Sequence, residues 1–250
     1  MTSFRVIGPG RAGRSLAIAL SNAGWGLAGM LGRHDDLRSA AHGVDALVIA
    51  TPDGDVAAVS AAVDPSPTAV VLHLAGSLGL DALAPHPRRA SVHPLVTLPE
   101  PEVGAVRLRA GGFFAVAGDP LALDLVAALG GQPLAVPDDA RAAYHAAACL
   151  AANHVVALLG QVERVAAQAG VPVAAFVELA RGAVDDVAAV GPARALTGPV
   201  ARGDRATIER HRAVLDPAER AAYDALVEVA ERLVGGRPAE PPAEEPAACR

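Results

Sequence analysis

Lysine is absent from this chain, because all 21 of its basic residues are arginine. A chain without lysine excludes chemistry that needs a Schiff-base lysine, a phosphate-loop lysine or a lysine general acid. The 8 histidines are therefore the leading candidates for acid–base chemistry near neutral pH.

Cysteines and aromatic residues are also few, and the chain has no excess of positive charge. The two cysteines, Cys149 and Cys249, cannot build a disulfide framework, and a formal charge of −6 does not favour nucleic acid or an acidic membrane as a partner. The most apolar stretch is broken by Asn153 and His154, which predicts no membrane span. The first residues lack the pattern of a signal peptide, so we expect a cytoplasmic protein.

The pattern of apolar runs and turn residues changes near residue 137, which predicts two domains. Short apolar runs alternate with helical segments as far as residue 137, which is typical of a parallel sheet with helices on both faces. Proline and glycine separate only helices from residue 138 onward. The sequence predicts an α/β fold: a Rossmann-type, doubly wound parallel sheet at 1–137, an all-α substrate and dimerisation domain at 138–236, and a disordered tail at 237–250. The predicted strands are 4–7, 27–31, 45–50, 69–74, 91–95, 113–117 and 133–136.

A glycine-rich loop joins the first predicted strand to the first predicted helix. Its six residues are Gly8, Pro9, Gly10, Arg11, Ala12 and Gly13. In a dinucleotide-binding loop the first glycine permits a tight turn, the second admits the pyrophosphate, and the third lets the helix pack on the strand. The position between strand and helix favours dinucleotide binding over a purely structural turn.

The end of the second strand distinguishes between the two nicotinamide cofactors. NAD enzymes usually place a carboxylate there, whereas this chain has Arg33, which can bind a 2′-phosphate. Asp35 and Asp36 are predicted to start the next helix. The sequence therefore favours NADP(H), although Arg33 as a solvated loop residue is the alternative.

Other candidate residues follow the later strands, where ligands bind in open α/β sheets. Thr51 and Pro52 are suited to pack against the nicotinamide half of the cofactor. Ser77 is predicted to hydrogen-bond a substrate or cofactor, and His93 to face the substrate. The alternatives are that Ser77 only forms part of a loop and that His93 has a structural role.

A polar stripe lies on the first long predicted helix. His145, Cys149 and Asn153 are spaced four residues apart and so share one face. Burying such groups is costly unless they are partnered, so the stripe faces either a polar cavity or the other domain. We predict no metal site, because further ligands do not cluster nearby in the sequence.

The segment around residues 191–204 is a second candidate. Gly198 and Pro199 interrupt a helix there, and Arg202 offers a fork for a carboxylate. Thr197 and His211 accompany it as predicted substrate-binding residues. A connector between helices, with Arg202 paired to Asp204, is the alternative.

With these motifs the chain resembles Rossmann-like oxidoreductases that carry a C-terminal helical domain of unknown function. That family is related to ketopantoate reductase and to the 6-phosphogluconate and β-hydroxyacid dehydrogenases, and the resemblance covers about residues 3–235. The segments that show this resemblance most specifically are GPGRAG, SVHPL, YHAAACLAAN and LTGPVARGD. Ketopantoate reductases have Lys, Asn and Asn at the spacing where this chain has His145, Cys149 and Asn153.

The resemblance implies an NADPH-dependent reductase of a small 2-keto acid, with ketopantoate and pantothenate synthesis as the leading expectation. His145 would donate the proton, Asn153 and Thr197 would orient the substrate, and Arg202 would hold its carboxylate. The alternatives are a non-catalytic NADP-binding redox module, an enzyme that acts on an imine or a cyclic acid, and a deazaflavin in place of the organic acid. We also expect a homodimer formed by the alanine-rich helices.

Overall fold

The computed structural model describes residues 1–236, which form two compact units. The first unit is Met1–His154, and the second begins at Val155. The boundary predicted after residue 137 lies earlier than this division, and Tyr144, which follows that boundary, contacts His93 of the first unit. The tail predicted at 237–250 lies outside the described residues.

Seven strands form one sheet in the first unit, in the order β2-β1-β3-β4-β5-β6-β7. Strands β1 to β5 run parallel, β6 is antiparallel to β5, and β7 is parallel to β6. The α/β class and all seven predicted strands are confirmed. The reversal at β6 has no signal in the sequence, and antiparallel strands at the edge of parallel sheets are common. The strands are β1 (Ser3–Ile7), β2 (Gly26–Leu31), β3 (Ala46–Ile49), β4 (Val70–His73), β5 (Arg89–Pro94), β6 (Phe113–Gly118) and β7 (Gln132–Ala135).

Helices cover both faces of this sheet. Because side chains alternate along a strand, Val48 and Leu72 pack on one face with α1, and Leu47 and Val71 pack on the other with α2. The segment that includes Asp35 and Asp36 consists of turns, so the helix predicted to start there is wrong. The helices of the first unit are α1 (Arg11–Asn22), α2 (Val56–Ala61), α3 (Pro101–Leu108), α4 (Leu121–Ala128) and α5 (Arg141–Cys149).

The second unit is helical, as the sequence predicts. Asp204 and Asp216 cap the helices that follow them, since the carboxylate of each accepts a backbone N–H from the first turn. The helices are α6 (Val155–Gln168), α7 (Val173–Val190), α8 (Pro192–Ala195), α9 (Gly198–Ala201), α10 (Arg205–Val214) and α11 (Pro217–Gly235).

A π-helical turn, Leu150–His154, connects α5 to α6 without a break in the helix. A π turn carries one extra residue between hydrogen-bonded groups, and such turns are frequent at functional sites. The continuous helical segment Asp138–Gln168 is long and apolar enough to cross a membrane, by length and composition only. One such helix is weak support for a span, so the absence of a membrane span stays a prediction.

Candidate functional site

Two glycines of the loop after β1 are required by close packing. Gly8 has a φ of +98°, and a Cβ atom there would lie 2.7 Å from the carbonyl oxygen of Ala50. A Cβ atom on Gly13 would overlap the carbonyl oxygen of Gly8 and lie 3.1 Å from Val6. These contacts hold the start of α1 against β1 and β3, as the sequence predicts for the first and third glycines.

The middle glycine leaves open space in front of α1. A Cβ atom on Gly10 would meet nothing described within 4 Å. Gly10 is also the N-cap residue of α1, and the first turn, which begins with Arg11 and Ala12, contains no acidic side chain. Backbone N–H groups at such a helix start favour an anion, so the loop is shaped to receive a pyrophosphate.

This loop borders a cavity of about 680 Å³. That volume lies within the range of small-molecule and cofactor sites. Its lining brings together most of the predicted cofactor-binding residues: Gly8, Pro9, Gly10, Arg33, Thr51 and Pro52. The hydroxyl oxygen of Thr51 is buried and has no hydrogen-bond partner within residues 1–236.

Arg33 lies on this cavity and is exposed. Within the described residues 1–236 no carboxylate is paired with it. Asp35, two residues further along the chain, accepts the backbone N–H of Gly32 at 2.7 Å through Oδ2. The guanidinium is therefore free to meet an anion that enters the cavity.

The loops after β3 and β4 are joined by one short hydrogen bond. Ser77 donates its hydroxyl to Oδ2 of Asp53 at 2.7 Å. Asp53 lies in a 3₁₀ turn and makes no side-chain capping bond there. The bond fixes Ser77 beside the cavity edge, and its substrate-binding role stays a prediction.

Two histidines and a tyrosine converge at the end of β5. Nδ1 of His93 lies 2.7 Å from the hydroxyl oxygen of Tyr144, and the rings of His93 and His145 are 5.7 Å apart at 84°. Gly76 makes room for both imidazoles, because a Cβ atom there would lie 2.7 Å from His145 and 2.9 Å from His93. The structure thus brings two predicted site residues together and adds Tyr144, which sequence reasoning did not assign.

Electrostatics distinguish the two neighbouring imidazoles. Burial, together with the positive charge of His145, lowers the pKa of His93 to about 4. Burial also raises the pKa of Tyr144. His93 is therefore neutral at pH 7 and Tyr144 keeps its proton, so this pair carries no charge at that pH.

The rest of the predicted polar stripe is less closely assembled. Sγ of Cys149 lies 4.0 Å from Nε2 of His145, a weak contact. Asn153 is exposed on the π turn and makes no side-chain hydrogen bond within residues 1–236. The structure does not join Asn153 to His145, and its catalytic role stays a prediction. Within the same residues, no three His, Cys, Asp or Glu side chains could hold a metal ion.

The remaining predicted substrate residues belong to the second unit. Thr197 is the exposed N-cap residue of α9, and Arg202 is exposed directly after that helix. Nδ1 of His211 lies 2.9 Å from the hydroxyl oxygen of Tyr223, which already partners this histidine. No hydrogen bond joins any two of these three predicted residues within the described part of this unit, so their shared role stays a prediction.

The sheet order, the glycine loop and the cavity at the carboxyl ends of the strands define a Rossmann-type fold. The family model of DUF2520, a domain of unknown function, matches residues 114–230. No curated protein matches the sequence.

Several solved structures share this fold. A protein from Bacteroides fragilis that is named a putative NADP oxidoreductase is 17% identical with a TM-score of 0.77, covering 92% of this chain and 98% of that one. Pyrroline carboxylate reductase from Plasmodium falciparum, with NADP bound, is 14% identical with a TM-score of 0.61, covering 93% and 98%. A reductive aminase from Aspergillus terreus, with NADPH and ethyl-5-oxohexanoate, is 18% identical with a TM-score of 0.64, covering 95% of each chain.

Proposed function

We propose that the protein is an NADPH-dependent reductase that acts on a C=N or C=O bond of a small organic molecule. The observation that carries this proposal is the pairing of two features at one edge of the sheet. One is the loop and cavity built by Gly8, Gly10 and Gly13, and the other is the His93–Tyr144–His145 cluster after β5. The bond from Ser77 to Asp53 connects the loops that lie between them.

The residues present fit NADP(H). The N–H groups at the start of α1 would hold the pyrophosphate, and Thr51 with Pro52 would border the nicotinamide half. Arg33 would pair with the 2′-phosphate, because the fork of a guanidinium matches phosphate oxygens. The P. falciparum reductase and the A. terreus aminase are named as complexes with NADP and NADPH, which supports the same cofactor here.

The bound cofactor would supply a hydride, and the chain would supply the proton. His145 is the proton donor in this proposal, since two adjacent imidazoles resist a double charge and burial keeps the charge off His93. In the tautomer with its proton on Nδ1, His93 donates to the Tyr144 oxygen and leaves the phenol O–H free for the substrate. Tyr144 would then orient the bond that is reduced.

For the substrate, we propose an imine or a cyclic imino acid ahead of ketopantoate. Two of the proteins compared above are named pyrroline carboxylate reductase and reductive aminase, and none of the three is named a ketopantoate reductase. The chain also lacks the lysine that stands at the position of His145 in ketopantoate reductases. A 2-keto acid is the second candidate, because a protonated imidazole can also protonate a developing alkoxide.

The test is NADPH oxidation, followed at its absorbance, with cyclic imino acids, ketone–amine mixtures and 2-keto acids that include ketopantoate. We expect turnover with at least one C=N substrate and a preference for NADPH over NADH. Turnover with ketopantoate alone would transfer the assignment to the keto acid. NADPH binding without turnover on any substrate would instead favour a redox-sensing module.

The Arg33→Ser variant tests the cofactor assignment by itself. It removes a charge-assisted contact with the 2′-phosphate, so we expect the Kd for NADPH to rise about 10- to 100-fold. The Kd for NADH should change little, because NADH has no such phosphate. Arg38→Ser is the matched control, since Arg38 is also exposed but does not line the cavity. An equal effect on both nucleotides would contradict the assignment.

A further inference from the structure

A completely buried arginine lies one helical turn before Tyr144. Arg141 has no exposed surface, and its Nε donates to Oδ1 of Asp138 at 2.9 Å. Its other two nitrogens, Nη1 and Nη2, have no hydrogen-bond partner among residues 1–236. Burying unbonded N–H groups of a cation is costly, so these two nitrogens require an acceptor.

Two further buried polar atoms lack partners on the neighbouring strands. They are Oγ of Ser91 on β5 and Nδ1 of His73 on β4, unbonded within the described chain. His73 and Ser91 are register partners in the parallel pair β4–β5, so their side chains leave the same face of the sheet side by side. Both residues are 0% exposed.

The turn at Gly79 connects these strands to Arg141. Its carbonyl oxygen lies 3.3 Å from Nε2 of His73. A Cβ atom on Gly79 would lie 2.7 Å from Oδ2 of Asp138, the carboxylate that pairs with Arg141. Burial lowers the pKa of His73. Tyr144, one helical turn after Arg141, contacts His93, which leaves the same face of β5 as Ser91. The three buried side chains therefore lie around the turn at Gly79 and the adjoining part of β5.

We propose that Arg141, Ser91 and His73 form an internal binding site for one small monoanion, of the size of chloride or formate. Arg141 donates to it through both Nη atoms, and Ser91 donates its hydroxyl. Nε2 of His73 carries a proton, because the Gly79 carbonyl can only accept, so Nδ1 of the neutral ring holds a lone pair. The anion enters together with a proton on Nδ1, which leaves the net charge of the buried site unchanged. This site does not rest on the proposed reductase activity.

The proton makes anion binding dependent on pH. Arg141 and His93 oppose a charge on His73, whereas Asp53 and Asp138 favour one. The negative charge of a bound anion would further favour a positive charge on His73. Because one proton accompanies each anion, the affinity should rise as the pH falls, by at most about tenfold per pH unit.

Bromide is the probe, and crystals of the full chain are soaked in sodium bromide at pH 6 and at pH 8 for anomalous diffraction. We expect one bromide peak within hydrogen-bond distance of both Nη atoms of Arg141, with higher occupancy at pH 6. Arg141→Met should abolish the peak. Arg88→Met should retain it, because Arg88 is already bonded twice to Asp119, at 2.9 and 3.1 Å. A water at that position at both pH values would overturn the site, and equal occupancy would overturn the proton coupling.

Ser91→Ala provides a second test if Arg141→Met does not fold. It removes one donor from the sheet side of the site, so the bromide occupancy at a fixed concentration should fall. Unchanged occupancy in this variant would contradict the role of Ser91. Soaking in formate instead of bromide separates the two sources of the anion: planar density on the Arg141 fork indicates a carboxylate, and bromide binding without formate binding indicates a halide.

Discussion

Replacing His145 with alanine is expected to lower kcat by about 10²- to 10⁴-fold, the usual contribution of a general acid. The loss follows from the electrostatics of the cluster after β5. The pKa of His93 is about 4, so His93 cannot replace His145 as a charged donor at pH 7. The affinity for NADPH should stay nearly unchanged, because His145 does not line the cavity beside the glycine loop. Stopped-flow or steady-state NADPH oxidation measures the first quantity, and fluorescence titration measures the second.

Two variants control this experiment. His154→Ala removes an exposed histidine from the π turn of the same helical segment and should leave kcat within about twofold, as surface substitutions usually do. Tyr144→Phe removes only the hydroxyl that meets His93 and should reduce kcat less than loss of His145 does. If Tyr144→Phe proved the more damaging change, the tyrosine would be the proton donor, and unchanged turnover in His145→Ala would exclude His145 from the chemistry.

The cofactor loop could be predicted from the sequence because its geometry is local. The spacing of Gly8, Gly10 and Gly13 after an apolar strand predicts a tight turn, an open approach for a ligand and close helix packing. The structure shows all three features. The seven strands could also be predicted, since each is a short apolar run between turn residues. The reversed direction of β6 could not be predicted from the sequence. It depends on how β6 pairs with β5, and no residue pattern within β6 encodes it.

The His93–Tyr144–His145 cluster could be predicted only in part, because it also depends on contacts between distant segments of the chain. His93 and Tyr144 are 51 residues apart, and their 2.7 Å contact depends on how α5 packs at the end of β5. The i, i+4 spacing identified His145 but also selected Asn153, which the π turn leaves exposed and unbonded in the described chain. A sequence signal for Tyr144 did exist, because it is one of two tyrosines and directly precedes His145. Arg141 offered no signal, since its burial is visible only in three dimensions.

Helix α7 of the second unit exposes apolar side chains. Every residue of α7 is at least partly exposed, including Leu179, which is 70% exposed, and Val184, which is 62% exposed. An apolar face of this kind is typical of an interface, and we propose a second copy of the chain as what covers it. The dimer stays a prediction, as do the substrate roles of Thr197 and Arg202, because the residues that would complete such a site depend on what covers these helices.

Alanine at Gly10 and alanine at Gly13 are expected to fail in different ways, although the two residues are three positions apart. At Gly13 the added Cβ overlaps the carbonyl oxygen of Gly8, so α1 must move away from β1. We expect a loss of about 3 kcal/mol in the free energy of unfolding, larger than the gain of up to about 1 kcal/mol from alanine's higher helix propensity. NADPH binding should be lost as well, because the N–H groups of α1 are displaced with the helix.

At Gly10 the added Cβ meets no described atom within 4 Å, so the free energy of unfolding should change by less than about 1 kcal/mol. The same methyl group would occupy the space where a pyrophosphate must approach the backbone, and we expect the Kd for NADPH to rise about 10- to 100-fold. Urea unfolding and NADPH titration separate the two effects, with Gly112→Ala as the control, since that site is also open but lies outside the loop. A Gly10→Ala protein that is stable and binds NADPH normally would show that no pyrophosphate lies against this loop, and the cofactor assignment would then be wrong.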